Sequence, residues 1–334
     1  MDYETLGRQL VRALRGKRSQ VAFSRRLGFR TNVVYAWESG RRWPTAATLL
    51  EAASKSRIDV RAVLGSFFPT PPSWLEEIDP RSRAGVARLL SELRAKIPIL
   101  EVAKRAGRSR YAVSRWLSGD AEPRLPDFLR LVQACSLRLF DFVALFVDPE
   151  ALPAAAEGWR MMQAHRQAAY DVPWVAAVLR ALELEDYRKL RAHKRGWIAS
   201  RIGITREEED RCLDVLVRGG QIREEDGRWV IGESISVDTR QDKSAELRLK
   251  GHWAKVGVDR LRLGAPGLFS FNVFNVSEED LEKLRELHRS YYRTMRSIIA
   301  ASAPSQRVVV ANVQLFALDR APDRDDKASR RVSA

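Results

Sequence analysis

The chain has 334 residues, 58 Lys plus Arg against 43 Asp plus Glu, a formal charge of +15 and a pI near 10.2, so nucleic acid is the first partner to test. With 45% hydrophobic and 8% aromatic residues it can bury real cores, which excludes wholesale disorder, and two or three domains are expected at roughly 100 to 200 residues each. Cys135 and Cys212 lie far apart and outside any CxxC spacing, which excludes a disulfide framework and a zinc ribbon and fits a reducing compartment.

The first residues, MDYETLGRQL, lack the apolar core of a signal peptide. No apolar run approaches the roughly 18 to 20 residues that span a bilayer, so a cytoplasmic protein with no membrane partner is expected. Helical periodicity then predicts helices over residues 6–14, 21–27, 31–39, 45–53 and 60–67. PTPPS, residues 69–73, cannot continue a helix, because proline lacks the amide hydrogen and disfavours helical geometry in the residue before it; a linker is expected over 69–79. A second helical series follows at 86–93, 99–106, 109–118, 126–134 and 139–146, closed by DPEALPAAAEG as a second linker over 148–158.

The charge follows the same divisions. Residues 1–58 hold 12 basic and 4 acidic side chains and residues 81–147 hold 13 and 6, so these two blocks contribute +8 and +7, the whole net charge. Residues 201–250 are acidic, with 10 basic against 12 acidic side chains. A bias confined to two blocks points to a localised binding face.

The two blocks are also repeats. FSRRLGFRTNVVYAWESGRRWP from Phe23 aligns without a gap on VAKRAGRSRYAVSRWLSGDAEP from Val102, at a constant offset of 79. Gly28, Val34, Trp37, Gly40 and Pro44 fall on Gly107, Val113, Trp116, Gly119 and Pro123. In each copy a short helix, a glycine suited to a left-handed turn and a second helix follow one another. Phe23, Leu27, Val34 and Trp37, or Val102, Ala106, Val113 and Trp116, face inward, and the start of the second helix stays polar and basic. That is helix-turn-helix geometry, whose second helix presents its first residues to the major groove. Trp37 and Trp116 read as core by their spacing, not as stacking residues.

At these residues the sequence resembles the lambda-repressor-like helix-turn-helix family, of Cro and cI type. The first copy matches from Gln20 through the E-x-G-x-R-x-P stretch. The second departs from the pattern with Ile99 in place of the glutamine and Leu117 in place of the glutamate. The resemblance implies two tandem five-helix domains, residues 1–68 and 80–147. It places Gln20 on a phosphate and Arg30, Thr31, Asn32 and Tyr35 on base edges, with Arg41 and Arg42 as backbone clamps. In the second copy it places Arg108, Ser109, Arg110, Tyr111, Ser114 and Arg115 at the DNA. These side-chain types suit such contacts, since Arg forks onto guanine O6 and N7, Asn bridges adenine N6 and N7, and hydroxyls take phosphates.

In the second half, Trp197, Ile198, Ile202, Cys212, Leu213, Leu216 and Val217 mark two more helices. Segments 221–223 and 228–231 form a hairpin around EEDG, so residues 159–235 have a winged-helix outline. The second of the two helices, the would-be recognition helix, opens with Glu207, Glu208, Glu209 and Asp210, which repel phosphates and suit a solvated helix start; the module is expected to be structural or interactive, not a third DNA reader. Residues 236–318 are expected to form a small α+β domain. LFSFNVFNVS alternates like a strand, SEED caps a long helix whose face carries Leu281, Leu284, Leu287, Tyr291, Met295 and Ile298, and VVVANVQLFAL closes as a strand. This order after a winged helix, over roughly residues 160–318, resembles a C-terminal domain of unknown function found in a group of predicted bacterial regulators. The tail, 319–334, is expected to be disordered.

Nothing supports catalysis. The four histidines, His165, His193, His252 and His288, are isolated and without a metal-ligand partner at i+3 or i+4, and there is no P-loop, GxSxG or HExxH. No metal and no cofactor is expected. The sequence therefore reads as a mainly α, non-enzymatic, sequence-specific regulator of transcription that binds double-stranded DNA and associates with the nucleoid when bound. Its C-terminal half would form a homodimer or sense a protein or small-molecule effector. Repression is favoured because a bound operator blocks polymerase. The alternative is an adaptor, such as an antitoxin-like or phage-defence component, whose repressor-like domains bind a protein.

Overall fold

The computed structural model describes residues 1–232 and 238–319. The fold is mainly helical with one small sheet. It divides into two compact units, one of Met1–Leu249 with Ala300–Val308, the other of Lys250–Ile299 with the segment from Val309.

The first unit opens with α1 (Tyr3–Arg15), α2 (Gln20–Arg26), α3 (Val33–Glu38), α4 (Ala46–Lys55) and α5 (Val60–Phe67). Each begins where a short polar side chain accepts a first-turn amide: Asp2, Ser19, Asn32, Thr45 and Asp59. A short helix, α6 (Trp74–Glu77), leads to the second series, α7 (Arg83–Arg94), α8 (Ile99–Ala106), α9 (Arg110–Ser118), α10 (Leu125–Ser136) and α11 (Leu139–Ala144). Ser82 and Ser109 cap α7 and α9 in the same way.

The apolar faces of both series converge. Buried side chains from Leu6 to Ala155 form one continuous cluster, so the two repeats share a core. The two expected linkers are part of it. Within 69–79, Trp74 and Leu75 are buried; within 148–158, Pro149–Ala151 forms a 3-10 turn and Leu152 and Ala155 are buried as α12 (Pro153–Asp171) begins. At the first of them α5 stops at Phe67, just before Pro69, and at the second α11 stops at Ala144, well before Pro149; at both, apolar residues further on anchor the connection.

After α12 come α13 (Val175–Leu182), α14 (Glu185–Arg188), α15 (Trp197–Ile202) and α16 (Arg206–Arg218), then an antiparallel hairpin of β1 (Ile222–Glu225) and β2 (Arg228–Ile231) with Ile222 opposite Ile231 and Glu225 opposite Arg228. They enclose a second cluster running from Val172 to Ile222. Ion pairs tie this part to the repeats. Arg166 on α12 donates to Asp141 on α11 at 2.7 Å, Arg138 pairs with both Asp141 and Asp238, and Arg138 and Arg240 each donate to the Phe67 carbonyl at 3.0 Å. Burial pushes the Asp141 carboxyl up, against the pull of Arg166 and Arg138.

The second unit contains most of α17 (Lys243–Arg262) and α18 (Glu278–Ala301). Ser277 caps α18 by accepting from the Asp280 amide at 3.1 Å, as its SEED signature predicts. The two strands expected here are corrected. Segments 268–277 and 308–318 have no strand pairing, and β1–β2 is the only sheet among the described residues. Alternation supplies a strand's two faces but not the neighbour that its backbone amides and carbonyls require. Leu268, Phe271, Val273, Val309, Phe316 and Leu318 are exposed. Of the tail expected to be disordered, residues 320–334 lie outside the described residues. No helix among the described residues is long and apolar enough to cross a membrane.

Candidate nucleic-acid interface

In the first repeat, α2 and α3 are fixed by Phe23 and Val34, both fully buried, and by Trp37, which meets Phe29 edge to face. Gly28, at φ +85°, makes the turn between them, and Gly107, at φ +61°, makes it in the second repeat; both lie in the left-handed region that favours glycine. Buried Ser24 locks the turn: its hydroxyl donates to the Gln20 carbonyl at 2.8 Å and accepts from the Val34 amide at 3.1 Å. Trp116, the counterpart of Trp37, is half-buried and packs on the same core.

This packing leaves one face polar in each repeat. Arg30, Thr31, Asn32 and Tyr35 are exposed at the start of α3, and Arg41 and Arg42 are exposed after it. Arg108, Ser109, Arg110, Tyr111, Ser114 and Arg115 are exposed around α9. Each face carries an arginine stacked on a tyrosine, Arg41 at 5.3 Å from the Tyr35 ring centre and Arg115 at 5.7 Å from that of Tyr111. Such pairs offer charge and a flat surface together.

Several of these side chains have partners inside the fold. Asn32 caps α3, its Oδ1 accepting from the Tyr35 amide at 3.3 Å, so α3 starts at Val33 and not at residue 31. The cap takes one of the two lone pairs of Oδ1, so an adenine contact by Asn32 has to share that oxygen with the Tyr35 amide. Ser109 caps α9 by accepting from the Ala112 amide at 3.2 Å. Arg108 donates to Asp127 at 2.6 Å.

Gln20 donates to Glu38 at 2.7 Å, and Glu38, with its side chain 4% exposed, also accepts from Arg15 at 2.6 Å. Sequence reasoning missed this pair. Its signal is the departure in the second repeat, where the equivalents of Gln20 and Glu38 are Ile99 and Leu117, both half-buried against the core.

Around α16 the acidic run is not a uniformly solvated helix start. Thr205 and Glu208 form a reciprocal capping box, and Asp210 pairs with Arg195. Glu209 is fully buried and accepts from the amides of Gly196 and Ala199 at 3.2 and 2.7 Å, which fixes the start of α15. Of the four, Glu207 has no such role and stays exposed. His193 lies beside this site, its Nε2 3.5 Å from Glu209 and its Nδ1 3.2 Å from the Tyr187 hydroxyl. Burial holds His193 and His165 below the usual histidine range; a charge from Glu209 opposes it at His193, as does the hydrogen bond to the Gly219 carbonyl at His165.

Both cysteines are buried, which pushes their thiols up to about 12 and leaves them protonated at neutral pH. Among the described residues no group of three or more His, Cys, Asp or Glu side chains is placed to hold a metal ion. What the exposed faces can do is bind phosphate and base edges through arginine, hydroxyl and tyrosine.

Nothing among the curated proteins or the solved structures matches the chain. Residues 154–318, from the start of α12 to the end of the second extended segment, match the model of a family described as a domain of unknown function, DUF4423.

Proposed function

We propose that this protein is a non-enzymatic regulator of transcription that binds double-stranded DNA in a sequence-specific manner. Its two repeats act as lambda-repressor-like helix-turn-helix domains, with α3 and α9 as recognition helices. The observation that carries this reading is the polarity of the two α2–α3 and α8–α9 pairs: Phe23, Val34 and Trp37, and Val102, Ala106 and Val113, are buried where the paired helices meet, and the start of each second helix exposes arginine, tyrosine and hydroxyl groups. The +8 and +7 of the surrounding blocks supply the sequence-independent attraction to phosphate. Gln20 and Arg108 take supporting places, since both are tied to carboxylates of their own repeat.

The C-terminal half serves dimerisation or the sensing of an effector. The apolar residues exposed in the second unit, among them Leu263, Leu287 and Ile298, offer surface for association. The protein acts in the cytoplasm by occupying an operator, and repression follows from blocking polymerase.

A mobility-shift titration of the full-length protein tests this. Fragments of its own genome, including the region upstream of its gene, should shift at low salt, and at least one should persist against excess random duplex. If none shifts, the regulator reading fails. A protein partner is the second reading, favoured by the exposure of Tyr111 on the second face and of Leu100 on α8; co-purification of a stoichiometric protein partner that masks Tyr111, with no DNA retained, would establish it instead.

A further inference from the structure

The two repeats are joined by a seam with reciprocal contacts. The Ala46 amide donates to the Pro123 carbonyl at 3.1 Å, and the Leu125 amide donates to the Pro44 carbonyl at 2.9 Å. Under the repeat offset of 79, Ala46 corresponds to Leu125 and Pro44 to Pro123, so each hydrogen bond is the image of the other. Between them Thr45 forms an antiparallel bridge with Arg124, its own equivalent.

The same exchange recurs away from the seam. Helix α1 packs on α10, and α7, the equivalent of α1, packs on α4, the equivalent of α10. At the starts of these helices Arg81 pairs with Glu51 on α4 at 3.2 Å, and Tyr3 lies under Arg130 on α10 at 4.7 Å. Glu51 and Arg130 are again equivalent positions.

A head-to-tail relation between repeats gives one set of contacts without its image. Self-complementary contacts of this kind are the mark of a two-fold axis, here a pseudo-dyad through Thr45 and Arg124 inside one chain. A two-fold axis places equivalent elements at equal height along itself. Recognition helix α3 ends at Glu38, seven residues before Thr45, and α9 ends at Ser118, six before Arg124. At no more than about 3.6 Å per residue, each helix end lies within about 25 Å of the axis. That reach includes the separation of about 34 Å at which two-fold-related recognition helices enter successive major grooves.

We infer that a single chain reads an inverted pair of half-sites, as a built-in pseudo-dimer. This rests on the DNA-binding function proposed above and goes further in fixing the orientation of the half-sites and the number of chains that occupy them. The half-sites differ in sequence, because the first repeat offers Arg30 and Thr31 ahead of α3 and Tyr35 on it, where α9 offers Arg110, Tyr111, Ser114 and Arg115. A dimer formed through the C-terminal half carries two such pairs, not one half-site per chain.

The test is selection of bound duplexes from a random pool by the full-length protein, followed by titration of the selected duplex far above its dissociation constant. Two unlike half-sites in inverted orientation, saturated at one chain per duplex, are expected. Arg30→Ala should relax base preference about tenfold in one half-site only, and Arg110→Ala in the other only. Half-sites in direct orientation, two chains per inverted pair, or both variants acting on the same half-site would overturn the pseudo-dimer while leaving DNA binding intact. A pool with no enriched sequence would overturn the DNA-binding reading itself.

Discussion

Gln20 and Glu38 are hydrogen-bond partners, and in the second repeat both positions are apolar, Ile99 and Leu117. Arg15, which shares Glu38, corresponds to Arg94, whose buried Nε has no hydrogen-bond partner among the described residues. Glu38→Leu is therefore expected to lower stability by about 2–3 kcal/mol in denaturant unfolding, since it leaves Arg15 and Gln20 without their acceptor. Adding Gln20→Ile should recover part of that loss, and simple additivity of the two changes would count against the pairing. Asn32→Ala should cost about 1 kcal/mol of stability through the lost cap of α3. Arg30→Ala should leave the melting temperature unchanged and weaken specific binding by about 1–3 kcal/mol against random duplex. These roles were only partly legible in the sequence. Exposure of Arg30 and Arg110 was legible because both stand in the polar, basic stretch that opens the second motif helix, whereas engagement of Asn32 Oδ1 by the Tyr35 amide depends on where α3 starts.

At the scale of elements, the helices of both repeats and the β1–β2 hairpin were legible because each has a cap or turn and a buried face of its own. The strands expected at 268–277 and 308–318 were not settled by pattern, because pairing depends on a neighbour that local alternation does not specify. The contacts joining α11, α12 and residue 238 were equally hidden: Asp141, Arg138, Arg166 and Asp238 are distant in sequence and meet only in the fold. Asp141→Ala should destabilise the protein by about 3–5 kcal/mol, because it strands the Arg166 guanidinium in a buried site. Unfolding measured against pH addresses His165 and His193. Their folded pKa values lie below the unfolded value near 6.5, so the folded state binds fewer protons and stability should fall as the pH drops below about 6.5. His165→Gln together with His193→Gln should flatten that acidic limb; an unchanged limb would assign it to other groups.

For the whole molecule, charge and repetition together locate the candidate face, since the +8 and +7 blocks coincide with the two repeats. What the sequence concealed is that the repeats form one body. The seam at Pro44–Ala46 and Pro123–Leu125 is made by backbone hydrogen bonds, which leave no side-chain pattern to read. The intervening proline-rich stretch has the composition of a free linker, yet Trp74 and Leu75 carry it into the core. Two basic faces held at a fixed relation should bind duplex as a unit. The most direct measurement of this is the salt dependence of affinity for the selected duplex, for the wild-type protein and for Arg41→Ala/Arg42→Ala. Contacts to six or more phosphates predict a log–log slope near −5 or steeper, made shallower by about 2 in the double variant. A flat slope, or one that the double variant leaves unchanged, would contradict the assignment of these faces to DNA.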